Sequence, residues 1–281
     1  MHRNAPTRRE FLGAAALAAA PAAPDRAIDT HTHFYDPSRP GGVPWPPKTD
    51  PLLYRTVLPR DFRKVTEGLG IEGTVVVEAS PLLEDNQWIL DLAKENRVIV
   101  GFIGHLDPAS PEFASHLARF TRNPLFRGIR LNGNAIAAGL LNKAFLTGIE
   151  RMAGLGLTLD AIGNASMFPD VLRLAERNPK LKIVIDHLPF DRQPGLPQAS
   201  NVYAKVSGVR PDTPRKALEE LWQTFGPDRV VYGSNWPVSE RVAPYAETLR
   251  MVATYFNSKG AAAKYFRDNS RIAYGWTAIP Q

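Results

Sequence analysis

The chain contains no cysteine, which excludes disulfides, thiolate metal ligands and a lipid-bearing N-terminal cysteine while leaving the redox compartment undecided. It has no run of about 18 strongly apolar residues, so no stable membrane insertion is expected. Basic clusters interleaved with aromatics are missing too: the net charge of +6 is spread over 281 residues, which argues against a nucleic-acid partner. No GxGxxG follows the first apolar run, as a dinucleotide fold would require. What remains is 44% apolar residues at a mean hydropathy of −0.23, enough for one large core and a small-molecule site.

The N-terminus reads as an address. Arg8 and Arg9 precede Phe11-Leu12, an alanine-rich run follows, and Ala20-Pro21-Ala22 offers a small-x-small cleavage site. Residues 1–24 thus resemble a twin-arginine export signal, which implies the twin-arginine export machinery as a partner and a bacterial periplasmic destination.

Beyond the leader, apolar runs rich in β-branched residues lie at 27–31, 74–79, 98–104, 126–131, 157–162, 182–188, 202–207 and 230–234. Stretches of helical period separate them, among them 87–96, 112–123, 143–155, 171–178 and 215–225. Strand–helix alternation predicts parallel pairing, and eight units in about 255 residues predict a (β/α)8 TIM barrel rather than an open sheet. The Pro- and Gly-rich segment 36–54 is too long for a tight connection and reads as a lid over the barrel mouth.

Alternate residues of a barrel strand face the lumen and the helices. If the apolar set faces the helices, Val202, Ala204 and Val206 point outward and Lys205 and Ser207 inward; by the same rule Asp160, Arg130, Glu78 and Ser80 point inward, and Val75 and Val77 outward. Strand 1 places Asp29, His31 and His33 on one side, with Asp29 deepest and structural. An inward set this polar is expected at the C-terminal strand ends, where barrel active sites sit. His31-x-His33 and His187 would bring three imidazoles to one point, close enough to share a metal or a substrate. Trp45 on the lid and Trp236 beside Asn235 are read as candidate contacts, whereas Trp88 belongs to a helix core.

In order along the chain, Ile28-Asp-Thr-His-Thr-His33, Val77-Glu-Ala79, Gly128-Ile-Arg-Leu131, Ile185-Asp-His-Leu188, Tyr203-Ala-Lys-Val-Ser-Gly208 and Tyr232-Gly-Ser-Asn-Trp-Pro237 make up a specific set. With these motifs the chain resembles the amidohydrolase superfamily, in its branch of fuconolactonase-like and pyrone-dicarboxylate-lactonase-like enzymes, over one domain at 25–281. The resemblance implies a hydrolase that opens a lactone or similar cyclic ester of a sugar acid or dicarboxylate. His31, His33 and His187 would be ligands of a divalent metal, zinc first, or direct substrate contacts in a metal-independent mechanism. Arg130 would hold a substrate oxygen, with Lys205, Trp236 and Ser80 lining the substrate site.

Two departures stand out. Asn235 occupies the position where the family has the water-activating Asp, and Glu78 stands where Gln is usual. A carboxylate lost at one rim position and gained at another makes Glu78 the expected replacement base, with Asp160 its rival; a general base is worth roughly 10² to 10⁴ in rate. Decarboxylation by the same ligand types, and a non-catalytic binding relative that lost its base at Asn235, are the alternatives.

Overall fold

In the computed structural model the described residues are 24–190 and 198–277; nearly all of the leader read at 1–24 lies outside them. Eight parallel strands form one sheet in chain order. They are β1 (Ala27–Thr32), β2 (Ile71–Val77), β3 (Ile99–Gly104), β4 (Phe126–Asn132), β5 (Thr158–Ile162), β6 (Lys182–Leu188), β7 (Val202–Val206) and β8 (Val230–Tyr232). The sheet closes where Thr32 bridges Trp236 in parallel and the His33 N–H donates to the Trp236 carbonyl at 3.0 Å. Helices α1 (Pro59–Thr66), α2 (Leu83–Glu95), α3 (Phe113–Phe120), α4 (Gly133–Gly139), α5 (Lys143–Gly154), α6 (Phe168–Arg177), α7 (Arg215–Phe225), α8 (Tyr245–Ser258) and α9 (Asn269–Tyr274) complete the expected (β/α)8 barrel. No helix among the described residues is long and apolar enough to cross a membrane.

Local chemistry sets several boundaries. Asn142 starts α5 by accepting the Ala144 and Phe145 N–H groups on Oδ1, and Pro59 sits in the first turn of α1, where its missing N–H costs nothing. At Gly128 a Cβ would stand 1.9 Å from the Thr158 carbonyl, so β4 and β5 can approach only with glycine there.

Strands β4, β5 and β7 alternate as expected. Val202, Ala204, Val206, Leu159, Ala161 and Ile129 pack in the layer between strands and helices. Strand β2 reverses its assignment: Val75 and Val77 face the lumen, in a cluster with Ile28, Val184, Val231, Tyr203 and, from the C-terminal segment, Tyr274 and Trp276. The Val75–Val77 end of β2 is apolar on both faces, which look alike, and the lower lumen of this barrel is itself largely apolar.

Strand β1 departs from strict alternation as well. Its register with β2 shifts between Asp29 and Thr32. The irregularity turns Asp29 toward the helix layer, where it accepts Tyr245 Oη–H of α8 at 2.9 Å and the Ser234 N–H at 2.9 Å, while His31 and His33 remain on the lumen side. Asp29 is therefore a closing brace between β1 and β8, structural as expected but on the opposite face.

Candidate active site

The three imidazoles meet at the C-terminal mouth of the barrel. The rings of His31 and His33 are 4.9 Å apart between centroids and those of His31 and His187 4.5 Å. His31 and His33 arrive through the register shift in β1. His187 arrives through a second local device: its φ is 62°, a left-handed conformation that a non-glycine residue adopts only when its surroundings hold it. Ser207 supplies part of that hold, with Oγ 3.1 Å from both the backbone N–H and Nδ1 of His187. Gly208 supplies the rest, since a Cβ there would stand 2.3 Å from the His187 carbonyl oxygen.

The left-handed turn has a further result. Asp186, on the lumen side by alternation, and His187, its neighbour, both end up in the site. Asp186 is fully buried, with Lys205 Nζ 2.8 Å and His31 Nδ1 3.5 Å from its Oδ1 and Arg130 Nη1 3.9 Å from its Oδ2. Burial opposes its ionisation, but Lys205 and His31 outweigh that and hold it well below the usual carboxylate range. Sequence reasoning passed over this residue. The signal was present: Ile183 and Ile185 form the outward set of β6, which leaves Val184 and Asp186 inward.

The other expected residues divide into those at the cavity and those away from it. A cavity of about 270 Å³ is lined by His33, Trp45, Arg130, His187 and Asn235, with Ala79, Ile162 and Val238 completing its wall. Asn235 has φ 58°, and Asn, like Asp, tolerates this conformation better than most residues. Glu78 meets Arg130 rather than the open cavity: its carboxylate accepts Nε–H at 2.8 Å and its carbonyl accepts Nη2–H at 2.8 Å. Asp160 and Lys205 are fully buried below the cavity, 2.5 Å apart, with Tyr274 Oη 3.1 Å from Asp160 Oδ1. Burial pushes Asp160 up to about 7 despite the ammonium beside it.

Two expected substrate contacts lie elsewhere. Trp236 is fully buried against Phe34 and Phe62, its indole N–H donated to Glu240 at 2.8 Å. Ser80 accepts the Leu82 N–H just before α2. Both sit one residue off a lumen-facing position, which alternation sends to the outer layer.

Electrostatically the imidazoles are neutral bases. Burial lowers His33 to about 3 and His187 to about 4, and takes His31 well below the ordinary histidine range. His33 Nδ1 lies 3.0 Å from the Val77 carbonyl. A carbonyl can only accept, so Nδ1 carries the hydrogen and Nε2 presents a lone pair. For a cation, the group among the described residues whose ligand atoms lie within 4.8 Å of one another is His31, Asp186 and His187, with His33 of the three expected imidazoles outside it. Both His31 nitrogens and Asp186 Oδ2 are buried without a directed hydrogen bond, whereas Asp186 Oδ1 is ion-paired with Lys205 at 2.8 Å. Two imidazoles and a carboxylate with unmet demand fit a divalent ion of the zinc type.

The lid is pinned around this mouth. Tyr35 Oη donates to the Leu53 carbonyl at 2.8 Å, Arg39 pairs with Asp85 at 2.6 Å, Arg55 with Glu240 at 2.7 Å, and Asp50 with Arg241. The Trp45 ring is thereby held 5.7 Å from that of His33.

Comparison with known proteins gives a consistent picture. The amidohydrolase family profile matches residues 28–276. The L-fucono-1,5-lactonase of Burkholderia ambifaria is 30% identical over 242 residues, covering 78% of this chain and 83% of that protein. The 4-sulfomuconolactone hydrolase of Rhizobium radiobacter is 26% identical over 287 residues, covering 90% and 91%. A solved amidohydrolase structure from Burkholderia multivorans with bound zinc superposes at a TM-score of 0.79, with 21% identity and coverage of 90% of this chain and 100% of that one.

Proposed function

The chain belongs to the amidohydrolase family and is a hydrolase, and from that premise we propose that it opens the ring of a small lactone by adding water to the carbonyl. The observation that carries this reading is the 270 Å³ cavity in which His33, Arg130, His187 and Asn235 converge under Trp45. Its size suits one small ring, and the relatives' names, L-fucono-1,5-lactonase and 4-sulfomuconolactone hydrolase, both state a lactone.

The chemistry follows from which atoms are free. Glu78 holds Arg130 by Nε and Nη2, which leaves Nη1 to donate to the carbonyl oxygen of a bound ring. With no ion held, His187 Nε2–H adds a second contact on the same oxygen; with an ion held by His31, Asp186 and His187, that contact would come from the ion instead. As water attacks, charge develops on that oxygen, and one such preorganised donor is worth roughly 10² to 10³ in rate. The His33 Nε2 lone pair takes the water proton and returns it to the ring oxygen as the C–O bond breaks, yielding a hydroxy acid. Asn235 takes no proton; its carboxamide orients the water. His31, Asp186 and His187 would hold a divalent ion, which when bound supplies Lewis-acid polarisation of the carbonyl or acidification of water.

The test is a panel of sugar-acid and dicarboxylate lactones, with ring opening followed as acid release and carbon dioxide measured in parallel. Acid release without carbon dioxide supports the proposal; carbon dioxide release assigns a decarboxylase, and binding without turnover assigns a non-catalytic relative. The leader would place the reaction in the periplasm, and fractionation of cells carrying Arg8→Lys with Arg9→Lys checks it: retention inside the cell is expected, and unchanged export contradicts it.

A further inference from the structure

A second chamber adjoins the first. It has a volume of about 210 Å³ and shares His187, Asn235 and Val238 with the cavity described above. It lies outside the barrel wall, between the ends of β7 and β8 and helix α8. Five valines, Val206, Val209, Val238, Val242 and Val252, supply its apolar wall among serine, threonine and arginine side chains; Val206 and Val252 are buried, and Val242 at the rim is 41% exposed, one of few large apolar side chains so exposed among the described residues. The two arginines that line it, Arg210 and Arg241, already pair with Asp212 and Asp50. The chamber therefore offers apolar surface, arginines that are already paired, and two hydroxyls unpartnered among the described residues, Tyr232 Oη and Ser239 Oγ, in its wall.

We propose that this valine-lined chamber is a specificity subsite that accepts an uncharged apolar arm, aryl or branched alkyl, carried by the lactone ring. This inference rests on the lactone reading and sharpens it from a compact ring to an armed one. A 150 Å³ apolar cavity already holds a benzene molecule, so about 210 Å³ accommodates an arm of about six carbons. The shared residues fix the geometry. An arm entering past Asn235 and Val238 belongs to a ring whose carbonyl lies against His187 and Arg130, so seating the arm also seats the reacting carbon. Burying such an arm removes apolar surface from water, which is the source of the discrimination.

The test uses δ-valerolactone and its phenyl-substituted counterpart as probes on the full chain. Wild type is expected to favour the armed lactone at least tenfold in kcat/KM. Val252→Phe, which fills the chamber from α8, should remove that preference by raising KM for the armed lactone at least tenfold while leaving the unarmed one within twofold. Val242→Trp, at an exposed rim position where folding is not at stake, should change the armed lactone alone. Equal use of both probes by wild type, or parallel loss of both in the variants, overturns the subsite. Calorimetry with the two ring-opened hydroxy acids keeps the tests separate. If no lactone turns over but the armed acid still binds tenfold tighter and loses this in Val252→Phe, the lactone reading fails and the subsite stands; equal binding of the two acids overturns the subsite.

Discussion

The lower and upper halves of the lumen are built on opposite terms. Below, polar groups are few and matched: Lys205 lies between Asp160 and Asp186, Tyr274 donates to Asp160, and Thr158 Oγ1 donates to the Ala273 carbonyl at 2.6 Å. Above, both His31 nitrogens and the second Asp186 oxygen, Oδ2, are buried with no directed hydrogen bond, while Oδ1 faces Lys205 below. A buried polar group without a partner costs about 1–3 kcal/mol, so the lower half is arranged for stability and the upper half keeps an unmet demand that a ligand can satisfy. The same residue types do different work according to whether their partners are already present.

Substitutions should separate the halves. Lys205→Met strips two buried carboxylates of their shared cation. Breaking a buried pair costs about 3–5 kcal/mol, and urea denaturation should show a loss of that size. A loss below about 1 kcal/mol would erase the distinction.

His187→Asn, which keeps a residue tolerant of φ 62°, should leave the urea midpoint within error of wild type. It should lower kcat/KM by a factor of about 10² or more through loss of the carbonyl contact.

The pH response comes next in size. His33 falls from the ordinary histidine value of 6.5 to about 3 in the folded chain, so as pH falls below 6.5 the unfolded chain takes the proton first. The stability contribution of this group is complete above pH 6.5 and is lost as pH falls toward 3. Relative to His33→Gln, wild type should lose about 2 kcal/mol between pH 6.5 and pH 5 in matched denaturation curves, at about 1.4 kcal/mol per unit. A constant difference would show that His33 is not buried as a neutral ring.

Tyr274→Phe is the mildest. It removes one hydrogen bond to Asp160 and should cost about 1 kcal/mol, with kcat/KM changed less than threefold because the group lies below the site.

The barrel was legible because eight β-rich runs alternate with helical periods, and alternation sorted the faces of β4, β5 and β7 correctly. It failed where its premise failed. The Val75–Val77 end of β2 is apolar on both faces, so Val75 and Val77 were assigned outward. The irregularity in β1 and the left-handed φ of His187 break the period of two: the first hid the turn of Asp29, and the second brings His187 into the site beside Asp186, which alternation alone places inward. Arg130 and His187 could be placed at the mouth from the sequence. The grip of Glu78 on Arg130 could not, because it joins residues 52 apart in the chain across β2 and β4.

The central claim is that water attacks a lactone carbonyl held between Arg130 and His187 at the barrel mouth. Turnover of a lactone in heavy-oxygen water, with the product analysed by mass spectrometry, tests it most directly. One heavy oxygen in the carboxylate of the hydroxy acid is the predicted result, with the signal falling at least a hundredfold in Arg130→Met. Label in the hydroxyl group, or undiminished labelling in that variant, would contradict it.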